Sequence, residues 1–165
     1  MKIIIFGIVA SGKTTLAKKM SINYQVPFYE GDCIAWEQRE NGRYKRTLQE
    51  QQKVIQDIDS LGNWIVEGTY RESQKCLFDM ADKIIFLDTP LSTRKRRIII
   101  RFIKQKLHLE KCHYKPNFTM LKLMFQWTYD FEKDRAKYET MLAQYGDKVI
   151  QVKLAKQVMN YNFDT

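Results

Sequence analysis

Short apolar runs alternate with stretches of helical period along this chain, and that alternation is the first thing the sequence shows. The runs 2–6, 26–29, 64–67, 83–87 and 148–152 are brief, continuous and rich in Ile, Val and aromatic residues, as strands buried on both faces are. Between them, 13–23, 48–60, 72–80, 92 to about 109, and 118–145 read as helices. Thr47-Leu48-Gln49-Glu50 has the spacing of a capping box, Ser92 follows Pro90 as an N-cap, and Gly146 stands where a helix-ending glycine belongs. Strand then helix, repeated, predicts βαβ units and an α/β fold with a doubly wound parallel sheet. The polar stretch 37–46, with Asn41-Gly42, is expected to be a loop, and so is 111–117 with Pro116.

At 165 residues, 44% of them hydrophobic, the chain matches one domain over 1–165. The apolar runs are far shorter than a membrane span, and Met1-Lys2 leads straight into a strand, so neither a signal peptide nor a membrane partner is expected. Cys33, Cys76 and Cys112 are scattered with no C-x-x-C pair, which fits a reducing, cytoplasmic setting. Cys112-His113 is read as a solvated loop and not as a metal fragment.

Charge changes the picture. The net charge is +9, and from Arg94 to Lys115 nine cations stand against Glu110 alone. A local basic block asks for an anionic partner, either nucleotide phosphates or nucleic acid.

The most specific signal follows the first strand. Gly7-Ile8-Val9-Ala10-Ser11-Gly12-Lys13-Thr14 fits G-x-x-x-x-G-K-[ST] and opens directly into a helix. In such a P-loop the backbone N–H groups and the helix N-terminus converge on phosphate, and the glycines permit close approach. The expected nucleotide-binding set is Gly7, Ala10, Ser11, Gly12, Lys13, Thr14 and Thr15, with Lys13 bridging the β- and γ-phosphates and Thr14 ligating Mg²⁺. No N-K-x-D stretch selects guanine, so ATP is expected. Ligands of an open α/β sheet sit beyond the carboxyl ends of its strands, and there stand Asp32, Glu67 and Asp88, carboxylates suited to Mg²⁺ or to an acceptor's proton. The pattern does not rank Glu67 against Asp88.

The P-loop, Val26-Pro27 with Asp32 and Trp36, Trp64-Ile65-Val66-Glu67-Gly68-Thr69-Tyr70-Arg71, and Ile85-Phe86-Leu87-Asp88-Thr89-Pro90 together resemble the DNA topology modulation (FlaR-related) proteins. Those are similar in fold to adenylate and shikimate kinases. The likeness covers most of the chain to about Arg101. It implies a three-layer P-loop fold, a five-stranded sheet of order 2-3-1-4-5, and a helical lid over about 94–117. It also implies that Asp32 serves Mg²⁺ or the acceptor hydroxyl, that Tyr70 and Arg71 face the acceptor, and that the lid arginines close on the transferring phosphate. The chain departs from that family at Glu67, where the usual pattern is D-G-N-Y.

Arg94, Arg97, Arg101, Lys104 and His108 fall on one helical stripe, with Arg97 and Arg101 expected to act in catalysis. Ile98, Ile99, Phe102, Ile103 and Leu107 fill the remaining surface. Phe118, Leu121, Phe125, Thr128, Phe131 and Tyr138 are expected to pack in the core, and Arg135 to reach toward phosphate. By resemblance, 153–156 pass the adenine ring. The favoured function is an ATP-dependent kinase of an unidentified small acceptor, monomeric or homodimeric. The alternative is a nucleic-acid-binding ATPase or regulator affecting DNA topology, and a third reading is an idle nucleotide binder.

Overall fold

The computed structural model describes residues 1–109, 117–159, 161 and 163. Glu110, Lys111, Cys112-His113, Lys115 and Pro116, which belong to the basic block and to the expected 111–117 loop, lie outside the described residues. In order, the elements are β1 (Lys2–Phe6), α1 (Lys13–Tyr24), β2 (Phe28–Glu30), α2 (Gly31–Ala35), β3 (Trp36–Arg39), β4 (Gly42–Lys45), α3 (Leu48–Ser60) and β5 (Trp64–Gly68). A 3₁₀ turn (Glu72–Gln74), α4 (Lys75–Met80), β6 (Lys83–Leu87), α5 (Leu91–Lys106), α6 (Phe118–Lys133), α7 (Arg135–Ala143), a second 3₁₀ turn (Gly146–Lys148), β7 (Val149–Val152) and α8 (Ala155–Val158) follow.

Five strands form one parallel sheet in the order β2-β5-β1-β6-β7. With β3 and β4 set aside, that is the expected 2-3-1-4-5. Side chains of a strand point alternately to its two faces, and here both faces are covered. Ile4, Phe6, Trp64, Val66, Ile84 and Phe86 pack with α3, α4, α6 and α7. Ile3, Ile5, Ile65, Ile85, Leu87 and Val152 pack with α1, Val158 and Phe163. The continuous apolar runs of the sequence therefore record burial from two sides.

Three expectations change, and a smaller one with them: Pro90, not Ser92, stands at the N-cap of α5. The stretch 37–46 is not a plain loop: β3 and β4 form an antiparallel hairpin in which Arg39 pairs with Gly42, whose φ of 112° suits glycine. The Arg39 guanidinium lies 3.6 Å from the Tyr44 ring centroid and that of Arg43 5.0 Å from Trp36, so cation–π contacts stand in for an apolar face.

The long helix 118–145 is two helices broken at Asp134. In one straight helix Phe131 and Tyr138 would sit about 10.5 Å apart along the axis. The bend instead stacks their rings at 5.0 Å.

The third change concerns α5. Its inward stripe is Arg94, Ile98 and Gln105, while Ile99, Ile103 and Leu107 face outward at 46%, 50% and 61% exposure. Phe118, expected in the core, is likewise exposed and touches Phe102.

Candidate active site

All five parallel strands end at one edge of the sheet, and the candidate site is assembled there. β1 is central, so the loop after it lies between the ends of β5 and β6. Gly7 donates to the Gly68 carbonyl at 3.3 Å, and a Cβ added at Gly7 would come within 2.9 Å of both the Leu87 carbonyl and Ser11 Oγ. Such proximity admits only glycine. Ala10 and Gly12 take positive φ, 60° and 104°, which curls the loop around its own N–H groups.

The loop carbonyls are held from the segment after β6. Thr89 Oγ1 donates to the Ser11 carbonyl at 2.9 Å, and Arg97 donates to the same oxygen at 2.6 Å and to Ala10 at 3.2 Å. Nothing in the motif marked Thr89, although its place after a strand-ending Asp88 is where loop contacts arise.

Glu67, 6% exposed, accepts the Thr14 hydroxyl at 2.6 Å. Burial pushes its carboxyl above the usual range, opposed by the Lys13 charge and the Thr14 hydrogen bond, while Glu30 and Asp32 push it further up. Lys13 donates to the Ile8 carbonyl at 2.9 Å. Desolvation lowers its pKa, with Glu67 and Asp32 acting to raise it and Arg71 and Arg101 to lower it. Lys13, Glu67, Asp32, Arg71 and Arg101 thus share one local field.

Asp32 opens α2 and pairs with Arg71 across the ends of β2 and β5. The approach is tight at Gly31, where an added Cβ would meet the Gln74 amide oxygen at 3.0 Å and the Glu67 carbonyl at 3.3 Å, while one on Gly68 would only touch the Gly31 Cα at 3.6 Å. Buried Gln74 donates to the Gly31 carbonyl at 2.8 Å, and Arg46 donates to the Cys33 carbonyl at 2.6 Å, so both ends of this short helix are pinned. Neither Gln74 nor Arg46 stands in a recognisable motif; Arg46 meets α2 only because the β3–β4 hairpin folds the chain back.

Other expected site residues are placed elsewhere. Tyr70 packs its ring on Phe78 at 5.4 Å and donates to Glu72; burial first, and then that hydrogen bond, raises its pKa to about 12. Asp88 accepts from Arg135 at 2.9 Å and from Gln151 at 3.2 Å, so Arg135 reaches a carboxylate and not open space. Arg94 leaves the expected stripe: it is 1% exposed, donates to the Thr89 carbonyl at 2.8 Å and pairs with Glu132. Lys104 and His108 are exposed, and Thr15 is exposed on α1.

No family model and no curated protein matches the chain. Solved structures do. A shikimate kinase from Acinetobacter baumannii, in complex with shikimate, superposes with a TM-score of 0.55 at 12% identity, over 95% of this chain and 89% of that one. An uncharacterized protein from Eubacterium ventriosum gives 0.55 at 16%, over 98% of each chain, and a sugar kinase from Janibacter sp. gives 0.51 at 16%, over 95% and 88%. The chain has the fold of the P-loop kinases. The narrower likeness to the topology modulation proteins rests on the residues quoted for it alone.

The residues present fit a phosphate chain and a divalent cation. The loop is a cradle that a Cβ at Gly7 would fill, and Ser11 Oγ is buried with no hydrogen-bond partner. A hydroxyl and a carboxylate, Thr14 and Glu67, are the hard oxygen donors that Mg²⁺ takes. Among the described residues no three His, Cys, Asp or Glu side chains form a metal cluster, so phosphate oxygens and water would complete the shell.

Proposed function

We propose that the protein is an ATP-dependent kinase that transfers a phosphoryl group to a small acceptor. The observation that carries this reading is the desolvated group at the P-loop, where Glu67 takes the Thr14 hydroxyl beside Lys13, with the Asp32–Arg71 pair standing opposite. A carboxylate and a guanidinium at the neighbouring strand ends are the groups that would meet an acceptor's hydroxyl and an anionic group on it.

In this reading the loop N–H groups and Lys13 hold the β- and γ-phosphates, and Ser11 Oγ gains the partner it lacks. Thr14 and Glu67 hold Mg²⁺, which when bound neutralises charge on the phosphate oxygens. Glu67 is preferred to Asp88 because it reaches Thr14, whereas Asp88 is taken by Arg135. Asp32 accepts the hydroxyl proton of the acceptor, and Arg71 orients Asp32 or an anionic group of the acceptor. Arg97 fixes the loop, and Arg101, whose charge bears on Lys13, steadies the transferring phosphate. The shikimate and sugar kinases that share the fold act on small hydroxyl compounds, which makes such an acceptor the first class to try.

The test is a phosphotransfer panel of polyols, sugars, hydroxy acids, nucleosides and nucleoside monophosphates with Mg-ATP. Lys13→Ala is expected to lower transfer by about 100-fold or more without unfolding the protein. Asp32→Asn is expected to keep ATP affinity and lose transfer. Turnover and ATP binding unchanged in Lys13→Ala would sink the assignment.

A further inference from the structure

We propose that the outward face of α5 is a peripheral docking surface for an anionic lipid membrane. Ile99, Ile103 and Leu107 recur every fourth residue and form one line along this 16-residue helix, with Ile100 beside them at 40% exposure. Phe118, 73% exposed, extends the line through its contact with Phe102, whose ring centroid is 5.4 Å away. A solvent-facing aliphatic stripe of this length is costly unless something covers it.

The charges around it say what does. Lys95, Arg96, Lys104 and Lys106 are all exposed, and they lie within or on either side of the stripe. Lys106 also lies 5.9 Å from the centroids of both the Phe102 and Phe118 rings. α5 contains no Asp or Glu. An aliphatic centre between cationic flanks is the pattern of a helix lying in a headgroup layer, where the apolar stripe enters the acyl boundary and lysines meet anionic headgroups. A nucleic-acid surface would have cations and polar groups where Ile99, Ile103 and Leu107 stand. The cations turned toward the P-loop, Arg97 and Arg101, are not part of this face. No helix among the described residues is long and apolar enough to cross a membrane, so the association is peripheral.

Flotation with phosphatidylcholine vesicles, with and without phosphatidylserine, tests the proposal on the full chain. Binding is expected only with phosphatidylserine and should weaken as salt rises. The triple substitution Ile99→Ser, Ile103→Ser, Leu107→Ser is expected to lower binding by at least about tenfold. Lys95→Gln and Lys106→Gln should each lower it by roughly fivefold at low salt. Since these positions are exposed, an unchanged melting temperature checks the fold. If the triple variant does not fold, the lysine variants and the salt series decide.

Equal binding to neutral vesicles, or full binding by the triple variant, overturns the proposal. So does duplex DNA binding that falls with the lysine variants while vesicle binding is absent. A dimer in sedimentation that the triple variant dissociates would assign the face to a second copy of this chain instead.

Discussion

The buried Arg94–Glu132 pair leads to an asymmetric prediction. Arg94 is 1% exposed, packs its guanidinium 5.5 Å from the Phe131 ring centroid, and has one nitrogen, Nη1, buried without a partner. Glu132 is 29% exposed by side chain and is also bonded by Arg135. Glu132→Gln leaves a buried cation facing a neutral amide. Breaking a fully buried pair this way costs about 3–5 kcal/mol, and the exposure of Glu132 puts this case near 3. For a chain of this size that is a fall in melting temperature of about 6–12 °C. Arg94→Met removes the charge itself, fills similar space, and loses mainly the hydrogen bond to the Thr89 carbonyl, a cost of about 1 kcal/mol. Glu132 then keeps Arg135. The double variant is therefore expected to be more stable than Glu132→Gln alone, with a coupling of about 2 kcal/mol. Thermal and denaturant melts of the four proteins measure it. Additive costs, or Arg94→Met as damaging as Glu132→Gln, would refute the reasoning.

Glu67→Gln is expected to reduce Mg²⁺-dependent turnover by about 10–100-fold, read in a magnesium titration. Because burial raises the Glu67 pKa, its contribution to stability is fully present below the ordinary carboxylate value and is lost as pH rises through the raised one. Wild type should therefore lose stability relative to Glu67→Gln across that window, by at most about 1.4 kcal/mol per pH unit; melts that run parallel in pH would contradict this. Arg97→Ala frees the Ala10 carbonyl and leaves that of Ser11 to Thr89 alone, so nucleotide affinity and turnover should fall together, measured by calorimetry and steady-state rates. Thr47→Ala removes the cap oxygen that accepts the Glu50 N–H at 3.2 Å and should cost about 1 kcal/mol in a thermal melt, with no change in turnover.

The sheet was legible because its strands are buried on both faces, which leaves little in the sequence but apolar runs of strand length. The P-loop was legible because glycine at close quarters has no substitute. The β3–β4 hairpin was hidden because rings stacked under arginines hold it, and a string of charged residues carries no alternation. The Asp134 break has no glycine or proline to announce it and shows only in the stacking of Phe131 on Tyr138. α5 misled for a different reason. The stripe reading put Arg94, Arg97, Arg101, Lys104 and His108 together as a lid over the phosphate, yet Arg94 is buried, Lys104 and His108 are exposed, and the apolar Ile99, Ile103 and Leu107 face outward. Periodicity assigns residues to faces; only packing decides which face is inside.

The break at Asp134 also bears on the P-loop. It places Arg135 at the start of α7, where one guanidinium reaches both Glu132 and Asp88. Asp88 begins the segment whose Thr89 hydroxyl and Arg97 guanidinium hold the Ser11 carbonyl, and Arg94 in the same segment is anchored by Glu132. Four charged groups therefore fix the stretch that shapes the loop from the side opposite Glu67. The Arg135 contact adds to the hydrogen bond that Gln151 donates to Asp88, to the Asp88 N–H bond to the Val152 carbonyl, and to the Arg94–Glu132 pair in fixing that stretch. The far helices thus reach, through Arg135 and Glu132, the segment whose Thr89 and Arg97 hold the phosphate cradle.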